Sequence, residues 1–223
     1  MNSATHMPRR LPALLLALTL GTGLVDAFSY LVLGHVFVAN MTGNIVFLGF
    51  ALAGAQGFSI AASGVAVVAF ACGAVIGGRL AGHFRQQLLS AASTLQALFV
   101  ATAVVLTLTS NQQITTGDQY ALIVVLATAM GIQNAAARKL AVPDMTTTVL
   151  TMTITGLGAD SRIAGGGGAH PARRMASVIA MLLGALAGAL LIVHGDTIWP
   201  LVLELVVCGV VAAAAVRLVG RAG

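Results

Sequence analysis

The sequence predicts an all-α membrane protein with six transmembrane helices and two re-entrant strand/half-helix segments, arranged as an inverted 3+3 repeat. Three observations lead there. The 223 residues are 58% hydrophobic and only 8% charged, too apolar for a soluble domain of this length. Six segments each supply the roughly 20 apolar residues needed to cross a hydrocarbon core of about 30 Å. An uncommon polar stretch also occurs twice: Gly23, Asp26 and Ala27 lead into Asn40-Met41-Thr42-Gly43-Asn44, and Gly131, Asn134 and Ala135 lead into Asp144-Met145-Thr146-Thr147-Thr148. Gly73 and Gly77 recur in the same Gly-Ala-x-x-Gly pattern as Gly184 and Gly188. A polar interruption at matching places in two halves points to an internal repeat with a shared site.

The six spans fall near residues 11–33, 58–78, 89–109, 120–137, 175–193 and 199–219, leaving no stretch for a soluble domain. The whole chain, 1–223, reads as one membrane domain, with repeat one at 11–109 and repeat two at 119–219. Arg9-Arg10 ahead of an apolar run also resembles a secretory signal. Cleavage there would remove or strand Asp26 and Ala27, so residues 11–33 are read as the first span.

The net charge of +5 is topological and does not indicate nucleic acid. Every Lys and Arg lies in a short cluster: Arg9-Arg10, Arg79 with Arg85, Arg138-Lys139, Arg162 with Arg173-Arg174, and Arg217 with Arg221. Basic clusters beside apolar spans are placed in the cytoplasm. With Arg9-Arg10 inside, the first span runs outward. The span at 58–78 returns to Arg79 and Arg85, so the stretch 36–54 must leave and re-enter on the outer side. The next two spans meet a loop at 111–119 without basic residues and return to Arg138-Lys139. The stretch 142–160, bracketed by basic clusters, enters and leaves from the cytoplasm, and the last two spans close at Arg217. Both termini are then cytoplasmic. Three full spans per half invert the second half relative to the first. The competing topology, eight full crossings, puts Arg79, Arg85, Arg138 and Lys139 outside.

Each re-entrant segment reads as an extended leg, a polar tip and a half-helix. Residues 36–39 are β-favouring and at about 3.3 Å per residue reach toward the midplane, and residues 45–55 climb back as a helix. In the second half, residues 140–143 form the leg, with Pro143 ending any preceding helix, and residues 149–157 form the half-helix. Non-helical backbone at membrane depth needs protein or water to satisfy it. The residue types at the tips make Thr42, Asn44, Thr146 and Thr147 good N-caps. Two opposed helix N-termini would attract an anion or the electronegative group of a small solute. The expected solute-binding set is Asp26, Asn40, Thr42, Gly43, Asn44, Asn134, Asp144, Thr146, Thr147 and Thr148. Gly43 would let backbone approach closely. The alternative for each residue is that it caps a helix or glues spans together.

Ionisable residues within spans are functional candidates by default. Asp26 reads either as a gating or proton-coupling group or as a buried packing contact, and Gln133, Asn134 or Arg138 could partner Asp26 or Asp144. Glu204 is a weaker candidate because no residue of the first half matches it. His35 and His194 fall at span ends. Cys72 and Cys208, both within spans, read as small packing residues rather than a disulfide or metal pair. The Gly-x-x-x-Gly pairs read as close helix contacts, and residues 165–168 as a flexible hinge. No P-loop, His-Glu-x-x-His, Cys-x-x-Cys or Gly-x-Ser-x-Gly motif is present, so neither enzyme chemistry nor a cofactor is expected.

The block Gly23-Leu-Val-Asp26-Ala27 through Asn40-Met-Thr-Gly-Asn44, with Gly131-Ile-Gln-Asn134-Ala and the Thr-rich stretch near Thr146, resembles the YoaK-like family of small bacterial inner-membrane proteins, a domain-of-unknown-function family. The resemblance covers nearly the whole chain. It implies six spans and the bacterial inner membrane, and it supplies no substrate. The leg, tip and half-helix arrangement is also similar to the crossed half-helix sites of sulfate and nucleobase permeases, an architectural analogy only. The expected function is a secondary transporter or channel for a small polar or anionic solute, with a non-transporting scaffold or accessory subunit as the alternative. The expected partners are that solute and the lipid bilayer, with a homodimer left open.

Overall fold

The computed structural model describes residues 11–84, 87–110, 114–141, 150–161, 164–165 and 171–220. Among the described residues there are eight helices and no strand: α1 Leu11–Val32, α2 Met41–Leu52, α3 Ile60–His83, α4 Leu88–Thr109, α5 Thr116–Leu140, α6 Leu150–Ala159, α7 Pro171–His194 and α8 Trp199–Val219. Six of them are apolar and 21 to 25 residues long, or about 32 to 38 Å at 1.5 Å per residue, enough to cross a bilayer. The chain is therefore a membrane protein with six candidate spans. At 12 residues α2 reaches only about 18 Å and cannot cross by itself, and the 10 described residues of α6 reach about 15 Å.

Local signals set the helix ends beyond the apolar windows. α5 starts four residues before its apolar run because Thr115 and Asp118 form a reciprocal capping box, with the Asp118 amide donating to Thr115 Oγ1 (3.3 Å) and the Thr115 amide to Asp118 Oδ2 (3.1 Å). It stops at Ala141, which is left-handed at φ 50°. α3 is capped by Ser59, and α7 opens on Pro171, the first-turn position where a missing N–H costs nothing.

The expected leg strand at residues 36–39 is not a strand. A strand needs a ladder partner, and here side chains bond the leg's backbone groups instead, so the segment is irregular. In its expected counterpart at 140–143, Leu140 is the last residue of α5 and Ala141 its cap rather than an extended leg, and residues 142–143 lie outside the described residues, as do residues 166–168 of the expected hinge.

The bundle is organised by two glycine seams. α1 packs along α7 and α3 along α5, the two most extensive helix contacts. A Cβ on Gly23 would lie 2.5 Å from the Met181 carbonyl oxygen and 2.6 Å from the Ala185 nitrogen, and one on Gly184 would overlap the Leu20 carbonyl. In the other seam a Cβ on Gly131 would strike the Phe70 carbonyl and lie 2.8 Å from the Ala74 nitrogen, and one on Gly73 would overlap the Thr128 carbonyl. One turn on, Gly188 faces Ala27 and Leu24 as Gly77 faces Ala135 and Ile132. The helices meet backbone to backbone, as the Gly-x-x-x-Gly spacing predicts. α4 packs on α8 and α5, and α8 on α1. α1 and α5 are the most enclosed spans, and α7 turns Leu182, Leu183, Leu186, Leu190 and Val193 outward.

Candidate functional site

The first polar interruption is built around α1 and the start of α2. Asp26 is buried and lies six residues before the end of α1, about 9 Å inside that end. Its Oδ1 accepts from the amides of Ala39 (2.9 Å) and Val38 (3.3 Å). Asn44, fully buried on α2, holds the same leg from the other side: its Oδ1 accepts from the Phe37 amide (2.9 Å), and its Nδ2 donates to the Phe37 carbonyl (2.6 Å). Two side chains thus do for residues 37–39 what a neighbouring strand would do, which is how irregular backbone survives inside the bundle.

The cap of α2 is Asn40, whose Oδ1 accepts from the Gly43 amide at 3.3 Å. The caps expected from the sequence, Thr42 and Asn44, both lie inside the helix, because it starts at Met41. Asn40 and Thr42 are exposed, and the amides of Met41 and Thr42 have no acceptor among the described residues. Gly43 has a packing role: a Cβ there would lie 2.8 Å from the Phe37 ring. That ring stacks on Tyr30 and Phe47, and Phe58 stacks on Phe47 in turn. His35, left-handed at φ 58°, turns the chain at the end of α1 and has Nδ1 3.3 Å from the Gly57 carbonyl.

Of the expected set, the structure brings together Asp26, Asn40, Thr42, Gly43 and Asn44. Asn134, on α5, donates to the Met130 carbonyl at 2.8 Å. Asp144, Thr146, Thr147 and Thr148 lie outside the described residues. On α6 only Thr153 is buried, whereas Thr151 and Thr155 face outward. Arg174 at the start of α7 pairs with Asp160 just past α6, at 2.6 Å.

A second polar centre, only partly foreseen, ties four spans together. Gln96 on α4 donates through Nε2 to Gln133 Oε1 on α5 (2.6 Å) and to Glu204 Oε1 on α8 (2.8 Å). Gln133 Nε2 donates to Thr22 Oγ1 on α1 (2.8 Å), and Thr22 donates to the Leu18 carbonyl (2.9 Å). Cys208 Sγ lies 3.2 Å from Glu204 Oε1, so this cysteine joins the network rather than merely filling space. All of these residues are buried. Gln133 is therefore committed to Thr22 and Gln96 and does not partner Asp26. Gln96 carries no motif, and the signal available for it was simply an amide in the middle of an apolar span.

A family model described as "Protein of unknown function (DUF1275)" matches residues 14–214. The chain is also similar to the UPF0700 transmembrane protein YoaK of Bacillus subtilis (strain 168), 36% identical over 144 residues, which cover 65% of this chain and 64% of that relative. No solved structure matches. The match over nearly all of its length places the chain in the DUF1275 family, to which the YoaK-like resemblance of its polar blocks had pointed.

Proposed function

We propose that this protein is a secondary transporter or channel for a small polar or anionic solute in the bacterial inner membrane, with both termini cytoplasmic. The observation that carries this reading is the start of α2: a helix too short to cross begins next to the buried leg, with two amides and the Thr42 hydroxyl open at its positive end. In this reading α2 and α6 are re-entrant, each returning to the side it came from.

The two glycine seams support the inverted repeat. Gly23 meets Met181 and Ala185 in one seam, and its sequence counterpart Gly131 meets the counterparts Phe70 and Ala74 in the other. Such reciprocal pairing is what a pseudo-twofold axis in the membrane plane produces. In this reading Asp26 and Asn134 are mates across that axis.

The rival reading, a scaffold or accessory subunit, draws on the fact that Asp26 Oδ1 and both polar atoms of the Asn44 amide are engaged within the chain. Purified protein screened for thermal stabilisation by small anions, amino acids and nucleobases separates the two. Transport expects at least one solute to raise Tm in the wild type and to lose most of that effect in Thr42→Ala. A panel without any stabiliser, or one acting equally on Thr42→Ala, overturns the site.

A further inference from the structure

The centre joining α1, α4, α5 and α8 leaves buried oxygens without a partner. Glu204 is fully buried, and its Oε1 is already satisfied by Gln96 and Cys208, yet its Oε2 has no partner. Gln96 Oε1 and Ser93 Oγ, on the adjoining face of α4, are also buried and unpartnered. Ser93 and Glu204 are each the sixth residue of their helix, and α4 and α8 pack together. Gly21, at the midpoint of α1, leaves the space into which the carboxyl group fits, since a Cβ there would overlap Oε2.

Among the described residues no cation offsets this carboxyl group. Among the described residues, α1 presents Gly21 and Thr22 to the centre, with Asp26 one turn further on and bonded to the leg. α4 presents Ser93 and Gln96, and α5 presents Gln133, its Arg138 and Lys139 lying in the last turn. α7 carries Arg173, Arg174 and His194 at its ends, and α8 carries Cys208 beside the carboxyl and Arg217 in its last turn. A buried carboxylate without a counter-charge is strongly disfavoured. Three open oxygens from three side chains make a thin shell for a metal cation, which takes six or more ligands when bound through oxygen. One proton supplies what is missing: it neutralises the carboxylate and turns the unpartnered Oε2 into a donor.

We propose that Glu204 is an exchangeable proton-binding site at the heart of the bundle, formed with Gln96, Ser93 and the gap at Gly21. Loading takes one proton from water onto the carboxylate to give the neutral acid, and unloading returns it. The site stands apart from the start of α2 and does not require that the protein move a solute. If it does, this proton is the coupling ion.

Infrared difference spectroscopy on the full-length protein in lipid tests the assignment directly. The wild type is expected to show a protonated-carboxyl C=O band that shifts in D₂O, is absent from Glu204→Gln and converts reversibly to a carboxylate band as pH rises. Ser93→Ala is expected to move the band or its titration midpoint. Should Glu204→Gln not fold, Glu204→Asp must retain a band with altered frequency and midpoint. The proposal is overturned by a wild type without the band, by a band lost in Asp26→Asn and kept in Glu204→Gln, by one that responds to NaCl rather than pH, or by one that never titrates while the protein stays folded. A stabilising solute found without this band would leave the transport reading standing and sink this one.

Discussion

The two glycine seams and the buried polar centre obey different rules, although both engage α1 and α5. In the seams every contact has a counterpart: Gly23 is matched by Gly131, Gly73 by Gly184, and their backbone neighbours match as well. In the polar centre nothing is paired in this way. Glu204 occupies the place in α8 that Ser93 occupies in α4, and Gln96, ninth in α4, faces the bundle where α8 has Val207 as its ninth residue. Packing between spans needs only small residues at the right spacing and can be copied wholesale. A buried charge-bearing group needs one specific set of partners. The scaffold is thus reciprocal and the chemistry is one-sided.

The seams give the largest expected effects. Gly73→Ala and Gly184→Ala should each destabilise the purified protein by about 1–3 kcal/mol or more, because the new methyl meets backbone that cannot turn aside. Thermal melting should show equal losses within about 0.5 kcal/mol. A loss confined to one seam would break the reciprocity. Next come the anchors of the leg. Asp26→Ala strands two buried amides at a cost of about 1–3 kcal/mol each, whereas Asp26→Asn keeps an oxygen acceptor and should retain most of the stability. Equal melting of the two variants would mean that the carboxyl group does not hold the leg.

The polar centre should then separate from its matched position. Gln96→Leu leaves Gln133 Oε1 without its donor and removes one from Glu204, a loss of about 1–3 kcal/mol. Val207→Ala should cost less, and a reversal would show that the network contributes nothing to folding. The smallest effect belongs to the pair of Arg174 and Asp160, whose carboxylate side is open to solvent. Asp160→Ala should change stability by about 1 kcal/mol or less, and added salt should erase the difference.

The six spans were legible because a bilayer demands long apolar runs, and α8 at Trp199–Val219 is found where its apolar window lies. Where ends differed, the cause was local: the capping box at Thr115 extends α5, and Asn40 rather than Thr42 starts α2. The β-favouring residues at 36–39 also suggested a strand, but residue type cannot reveal that Asp26, twelve residues before Val38, takes the place of a ladder partner. Asp26 and Asn44 were legible as important residues, and their work in holding the leg was not. The polar centre was the hardest to see. Thr22, Gln96, Gln133 and Glu204 stand singly in four apolar stretches and form no motif until the helices fold around them.

The seams also decide which parts of the bundle can separate. Helices that meet through carbonyl and amide atoms, with glycine on both sides, have no side chains to re-pack and little freedom to slide. α1 with α7, and α3 with α5, therefore behave as two stiff planks. α1 and α5 themselves share the slightest of the helix contacts. At that slight join the hydrogen bond from Gln133 to Thr22 ties one seam to the other.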